Sequence, residues 1–252
     1  MSSHFSCIGF PVREMRDYTA LMRRAAAQGE RRPLPGGGAL VRWEAGGGPE
    51  VWVLVEASGE VVEATPFYHT GEPWRVAVTA QGEDPDEERE GWVEGWVEPV
   101  EPDEPLSGVF PVRIDLVNFP LVRDGLPVGA VVPIEFCAIA HEATLYPDAA
   151  AYAAAHRAQY RPPMQSFLSV MHFAADAAEG EPEATALVSG VIEEAHLQTN
   201  PQTDAPYWSL RVATEKLVVW VLADAEVLPV SPQAGNILAA SCWIVGRAIP
   251  PE

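Results

Sequence analysis

Apolar and polar positions along the chain follow two different periods, and the places where the period changes mark the elements. Between Glu14 and Gln28, Met15, Tyr18, Leu21, Met22, Ala25 and Ala26 recur at intervals of three and four, which gives a helix one apolar face, and Gly29 supplies its stop. Before this helix, His4 to Val12 reads as a short strand. After it, β-forming runs at Ala39 to Glu44 and Val51 to Glu56 flank Gly46-Gly47-Gly48 and predict a hairpin. Beyond a turn at Gly59, Val61 to Thr65 returns as a third strand. The order predicted for the first 70 residues is therefore β-α-β-β-β.

The tandem repeat Gly91-Trp-Val-Glu-Gly-Trp-Val-Glu98 alternates strictly and predicts one strand, with Trp92, Glu94, Trp96 and Glu98 on one face. Val112 to Phe119 and Val131 to Ala140 follow as strands. The second is nearly all apolar, as expected of a strand covered on both faces. Pro147-Asp148 opens an alanine-rich helix with Tyr152, His156 and Tyr160 in one stripe, and Pro162-Pro163 ends it. Strands are then predicted at Ser166 to Phe173, Thr185 to Leu197, Tyr207 to Thr214, Leu217 to Ala223 and Asn236 to Arg247, with a break at Asp224 to Leu228. This pattern fits a small closed or half-closed barrel.

The fold class is thus α+β. A mainly antiparallel sheet with one packed helix is expected over residues 1–145, a connecting helix over 146–163 and an OB-like barrel over 164–252. A length of 252 residues suits two domains.

Charge narrows the function classes. Thirty-six carboxylates against 16 basic side chains leave a net charge of -20, which argues against nucleic acid and anionic membrane as partners. Eleven of the carboxylates, with a single Arg, fall between Glu83 and Glu104, where Pro85, Pro99, Pro102 and Pro105 favour exposed loops. The N-terminus lacks the basic head and apolar run of a secretory signal, and the longest apolar stretches fall short of the roughly 20 residues that cross a bilayer. Cys7, Cys137 and Cys242 are odd in number and lie in apolar surroundings, as expected of buried thiols in a reducing, cytoplasmic compartment.

Two resemblances follow from particular segments. His4-Phe-Ser-Cys-Ile-Gly-Phe-Pro-Val12, Leu40-Val-Arg-Trp43, Phe136-Cys-Ala-Ile-Ala-His-Glu142 and Cys242-Trp-Ile-Val-Gly-Arg247 resemble an uncharacterised bacterial two-domain family, a likeness that spans nearly the whole chain and implies no activity. The β-α-β-β-β order of residues 4 to 65 is similar to one module of the vicinal oxygen chelate superfamily, whose members pair two such modules around a divalent metal. That resemblance implies ligands on the first and last strands of each module. His4, Glu63 and His141 are the candidates, with His69, Glu135 and Glu142 close by in sequence.

Other constellations are weaker. No pair has a diagnostic metal spacing such as His-Glu-x-x-His, and the glycine triplets lack a phosphate-loop context. A Gly-x-Ser-x-Gly elbow is absent, and so is a Cys-His signature, so no catalytic residue is assigned. Arg23, Arg24, Arg31 and Arg32 read as a solvated basic face. Trp92 and Trp96 form a candidate binding face, able either to stack on a ligand or to cover the sheet. An OB-like barrel commonly binds oligonucleotides or oligosaccharides, and Tyr207, Trp208, Trp220 and Trp243 could stack on them. In that segment, however, only Arg211, Lys216 and Arg247 are basic, so a protein partner or small ligand is expected instead. The sequence favours a non-enzymatic binding or interaction protein without a cofactor. The alternative is a divalent-metal enzyme of vicinal oxygen chelate type.

Overall fold

Two sheets dominate the computed structural model, which describes residues 3–83, 91–101, 104–156, 163–169, 184–228 and 230–249. The smaller sheet holds β1 (Glu30–Pro33), β2 (Ala39–Glu44), β3 (Pro49–Val55) and β4 (Val61–Tyr68), paired antiparallel in chain order. Helix α1 (Met15–Gln28) lays Leu21, Met22 and Ala25 against it, where they join one apolar cluster with residues of β2, β3 and β4. Asp17 and Glu14 close a reciprocal capping box at its start. Every residue of β3 is buried, and Val51, Val53 and Val55 are all but inaccessible.

The chain's opening differs from the predicted strand. His4–Ile8 is a 3-10 helix, closed by Gly9 in the left-handed region at φ 77°. Phe5 and Ile8, three residues apart, are both buried, a period that suits one helical turn better than a pleat. The turn is held from a distance. A Cβ on Gly9 would stand 2.6 Å from the Cβ of Asn200, while the buried Asn200 Nδ2 donates to the Ile8 carbonyl at 2.9 Å.

The larger sheet contains β5 (Pro73–Glu83), β6 (Gly91–Val97), β7 (Phe110–Leu116), β8 (Val131–Tyr146), β9 (Ser166–Ser169), β10 (Thr185–Thr199), β11 (Pro206–Ala213), β12 (Val218–Asp224) and β13 (Ile237–Ala248). Its centre is a long antiparallel ribbon of β8 and β13, paired from Ile134 with Ala248 to Tyr146 with Ile237. On one side β5, β6 and β7 form an antiparallel meander, with β5 pairing β8 and β7 running parallel to β13. On the other side β10, β11 and β12 form a second meander, with β10 pairing β13 and β12 running parallel to β8.

Each meander therefore makes a ring of pairings with the same two central strands, and the two halves are related by exchanging the roles of β8 and β13. The first strand of each half serves two partners in succession. β5 pairs β8 and then β6, with a register shift between Val78 and Ala80; β10 pairs β13 and then β11, with a shift between Ile192 and Glu194. A bulge bends and twists a strand enough to pass from one neighbour to the next.

The ribbon's two faces explain its apolar sequence. Ile134, Phe136, Ala138 and Ala140 of β8, with Leu238, Ala240, Cys242 and Ile244 of β13, belong to the cluster inside the rings. Cys137, Ile139 and Val245 belong to the second cluster, under the four-stranded sheet. The predicted boundaries at 145/146 and 163/164 do not coincide with a break in this sheet, because its strands come from both sides of them. In the connecting region, α3 (Ala149–Ala155) is shorter than the predicted helix and is capped by Asp148, which accepts from the Ala151 amide at 2.8 Å. Tyr160, most of the Glu83 to Gly91 loop and residues 170–173 of a predicted strand lie outside the described residues.

A buried charge network fastens the two sheets together. Glu135, on the outward side of β8, is 1% exposed and contacts His69 Nδ1 at 2.8 Å, the Thr70 and Gly71 amides, the Thr70 hydroxyl and Arg247 Nη2 at 2.8 Å. Burial alone would raise its pKa. The Gly71 N–H, the neighbouring His69 and Arg247, and the Thr70 side chain outweigh this and hold it below the ordinary carboxylate value. Arg247 also reaches Glu50, which is itself buried and bound by Arg42 and by Trp52 Nε1 at 2.9 Å. Two guanidinium groups thus meet two buried carboxylates across the junction.

Candidate binding cleft

Alternation places Trp92 and Glu94 of β6, and Arg113 and Asp115 of β7, on the outer face of the first meander, with Trp92 opposite Asp115 and Glu94 opposite Arg113. Val93, Val97, Val112 and Ile114 point the other way and are buried inside. The Trp92 ring lies beside its other cross-strand partner, Gly82, where an added Cβ would come within 2.6 Å of it. Arg113 stacks on the same ring with its guanidinium carbon 3.8 Å from the centroid and pairs Glu94 at 3.2 Å. The next strand, β13, brings Trp243, whose Nε1 donates to Asp115 Oδ2 at 2.6 Å.

The four-stranded sheet roofs this face and leaves a cleft between the two. Leu40, Trp52, Leu54, Glu63 and Thr65 form the roof, while Trp92, Asp115, Leu116, Pro120 and Trp243 lie on the opposite side. The cavity volume is about 60 Å³, and the space around it opens to solvent. Trp52 is almost wholly buried, whereas Trp92, Trp243, Glu63, Thr65 and Asp115 keep part of their surface accessible. Among the described residues the walls offer three indoles and two carboxylates, and no lysine, arginine or histidine lines them.

The residues singled out in the sequence separate into three groups. Glu63 and Trp92, picked for unrelated reasons, line this one cleft. Trp96 shares a strand face with Trp92 and is likewise half-buried, but it packs beside Gly108 outside the cleft lining. His4 and His141 meet at the ribbon: His4 Nε2 lies 3.1 Å from His141 Nδ1, and the His4 ring stacks on Trp243 with centroids 4.8 Å apart. Burial, reinforced by His141, lowers the His4 pKa to about 4. Glu63 does not complete a ligand set with them, since no group of three or more His, Cys, Asp or Glu able to hold a metal occurs among the described residues.

Asp115 and Trp52 escape sequence reasoning, and Trp243 is visible only as one of several aromatic residues. A signal for Asp115 exists in the alternation of Val112-Arg-Ile-Asp-Leu116, which sets Arg113 and Asp115 on one face. Its pairing with Trp243 depends on a parallel contact between strands 128 residues apart. In the basic cluster, Arg24 stacks on Trp43 at 5.0 Å and bonds Gln202, 178 residues away, and Arg32 pairs Glu30. All three cysteines are buried and free, and burial pushes the Cys7 and Cys137 thiols up to about 12. No helix among the described residues is long and apolar enough to cross a membrane. Comparison with protein-family models, with curated proteins and with solved structures gives no match.

Proposed function

We propose that the protein is a non-enzymatic ligand-binding protein and that the cleft between the four-stranded sheet and the β6–β7 face is its site. The observation that carries this reading is the partly accessible pair Trp92 and Trp243 in a cleft whose roof and floor are joined by Glu135 to the His69–Gly71 turn and by Arg247 to Glu50. Preformed concave sites with apolar walls and a few polar groups are where small ligands bind. The thiols, buried and strongly protonated, are unsuited to nucleophilic chemistry.

The OB-like barrel expected over residues 164–252 is not the ring under the cleft, of which only β13 lies in that range, but the strand order of this ring supports the same place. In the ring β5-β6-β7-β13-β8, three antiparallel strands lead through the short helix α2 (Phe119–Val122) to the fourth, and the third runs parallel to the last, a Greek-key order of the OB kind. OB-folds bind ligands on the face of their second and third strands, here β6 and β7, under the cleft.

A thermal-shift screen across compound classes tests the proposal. A ligand present at a hundred times its Kd adds about 2.7 kcal/mol, a rise of about 5 to 10 °C for a chain of this size. At least one class is expected to stabilise the native protein but not folded variants that fill the cleft, Thr65→Phe and Pro120→Trp. Equal shifts in all three proteins, or none with any class, would overturn the assignment.

A further inference from the structure

We infer that the N-terminal 3-10 turn is a releasable clasp: charging of the His4–His141 pair lifts the end that carries His4 off the central ribbon and uncovers Trp243 and Cys7. The fold builds this contact deliberately. In the ribbon Ser241 stands opposite Glu142 and Cys242 opposite Ala140, which leaves His141 as the extra residue of a bulge. A bulge re-aims a side chain, and His141 Nδ1 here lies 3.1 Å from His4 Nε2. The His4 ring also stacks on Trp243. Three residues on, Cys7 is 1% exposed and its Sγ donates to the Ala140 carbonyl at 3.5 Å.

The contact holds while one imidazole donates to the other. With both rings protonated, each nitrogen at the contact carries a hydrogen, and two cations face each other. The strands packed against the turn bring other ionisable groups: Glu142 next to His141 in β8, Glu63 in β4, Asp224 in β12 and Tyr207 in β11, with Asp115 of β7 behind Trp243. Carboxylates and the Trp243 face would favour a charged His4. Burial and His141 outweigh them and hold its pKa at about 4. The turn is also free to move on one side, since Ser6 and Gly9 border a cavity of about 420 Å³. Its far end stays tied, because Asn200 and Thr203 donate to the Ile8 and Gly9 carbonyls, so Gly9 is the hinge.

The test is thiol labelling of the full chain with 4,4′-dithiodipyridine, a disulfide reagent that works in acid, with N-acetylcysteine as the reference at each pH and mass spectrometry to assign the site. An open turn returns His4 to its ordinary value of 6.5, so between pH 7 and pH 5 the open fraction, and with it the normalised Cys7 rate, is expected to rise about 20-fold. At pH 5 Cys7 is expected to react at least tenfold faster than Cys137 and Cys242, which lie in the ribbon itself. His4→Gln, which cannot gain a proton, is expected to remove the rise, and His4→Asn takes its place if the glutamine variant is open at pH 7. A rise under fivefold in the native chain would overturn the clasp. Equal rates for the three thiols would do the same, since the turn would then open only with the whole fold, as would a rise kept in the neutral variants.

Discussion

Glu135 is the residue at which the two sheets depend on each other most. A carboxylate at 1% exposure is tolerable only because donors surround it, and its two strongest partners, the Thr70–Gly71 turn and Arg247, belong to different elements. Glu135→Gln keeps the shape but sets an amide against those donors and leaves Arg247 only its longer contact with Glu50 at 4.0 Å. Breaking a buried pair of this kind costs about 3 to 5 kcal/mol, so the melting temperature should fall by about 6 to 20 °C. A fall under about 2 °C in thermal denaturation followed by circular dichroism would refute the role given to the network. In the sequence this residue shows only as an acid interrupting an apolar run. Its partners lie 65 and 112 positions away, so sequence alone presents it as a free ligand candidate.

At the scale of elements, β10 shows how a long strand changes partners. Gly190 lies near the end of its pairing with β13, just before the strand passes to β11, and a Cβ there would stand 2.3 Å from the Ala213 carbonyl oxygen. Gly59, by contrast, has φ 88° and open space around it. Gly59→Ala should cost about 1 kcal/mol through backbone strain alone. Gly190→Ala must displace backbone of the neighbouring strand and should cost about 3 kcal/mol. Urea denaturation of both variants measures the difference, and equal losses would mean that the strand crossing has slack.

Most strands were legible because alternation and turn residues are local signals. β2, β3, β4, β6, β7 and β10 to β13 fall within a few residues of the predicted runs, and β8 starts where predicted but runs six residues further. The exceptions have local causes as well. The alternation of Trp74, Val76 and Val78 in β5 is broken by the bulge before Ala80, and β1 is four exposed residues that pair β2 without contributing to the core. His4 to Ile8 looked extended because its β-formers say nothing of the Asn200 loop that holds the turn.

For the whole molecule, acid should loosen the junction in two stages. The unfolded chain takes up a proton at His4 near its ordinary pKa of 6.5, whereas the folded chain resists until about 4. Stability therefore falls as pH drops from 6.5 towards 4 and is unaffected by this group above 6.5. Glu135, whose folded value is depressed, contributes stability above its ordinary value of 4.5 that is lost as pH falls further. Melting curves at pH 7, 5.5 and 4.5 for the native chain and His4→Gln separate the two, since both proteins keep Glu135. The native protein should lose melting temperature faster between pH 7 and 4.5, and parallel curves would exclude His4 as the cause.

The amino-acid pattern by itself determined the class of the protein. It set the α+β content, the positions of most strands, the burial of the cysteines and the acidic surface, because each depends on what a residue does with its near neighbours and with water. Only the tertiary structure decided that one ribbon, β8 with β13, serves two rings of strands, since parallel partners separated by more than 80 residues leave no periodic trace. It also decided which candidates meet. Glu63 and Trp92 reach one cleft and His4 reaches His141, because sheet packing, unlike strand formation, is set by faces that come together only after the chain has folded.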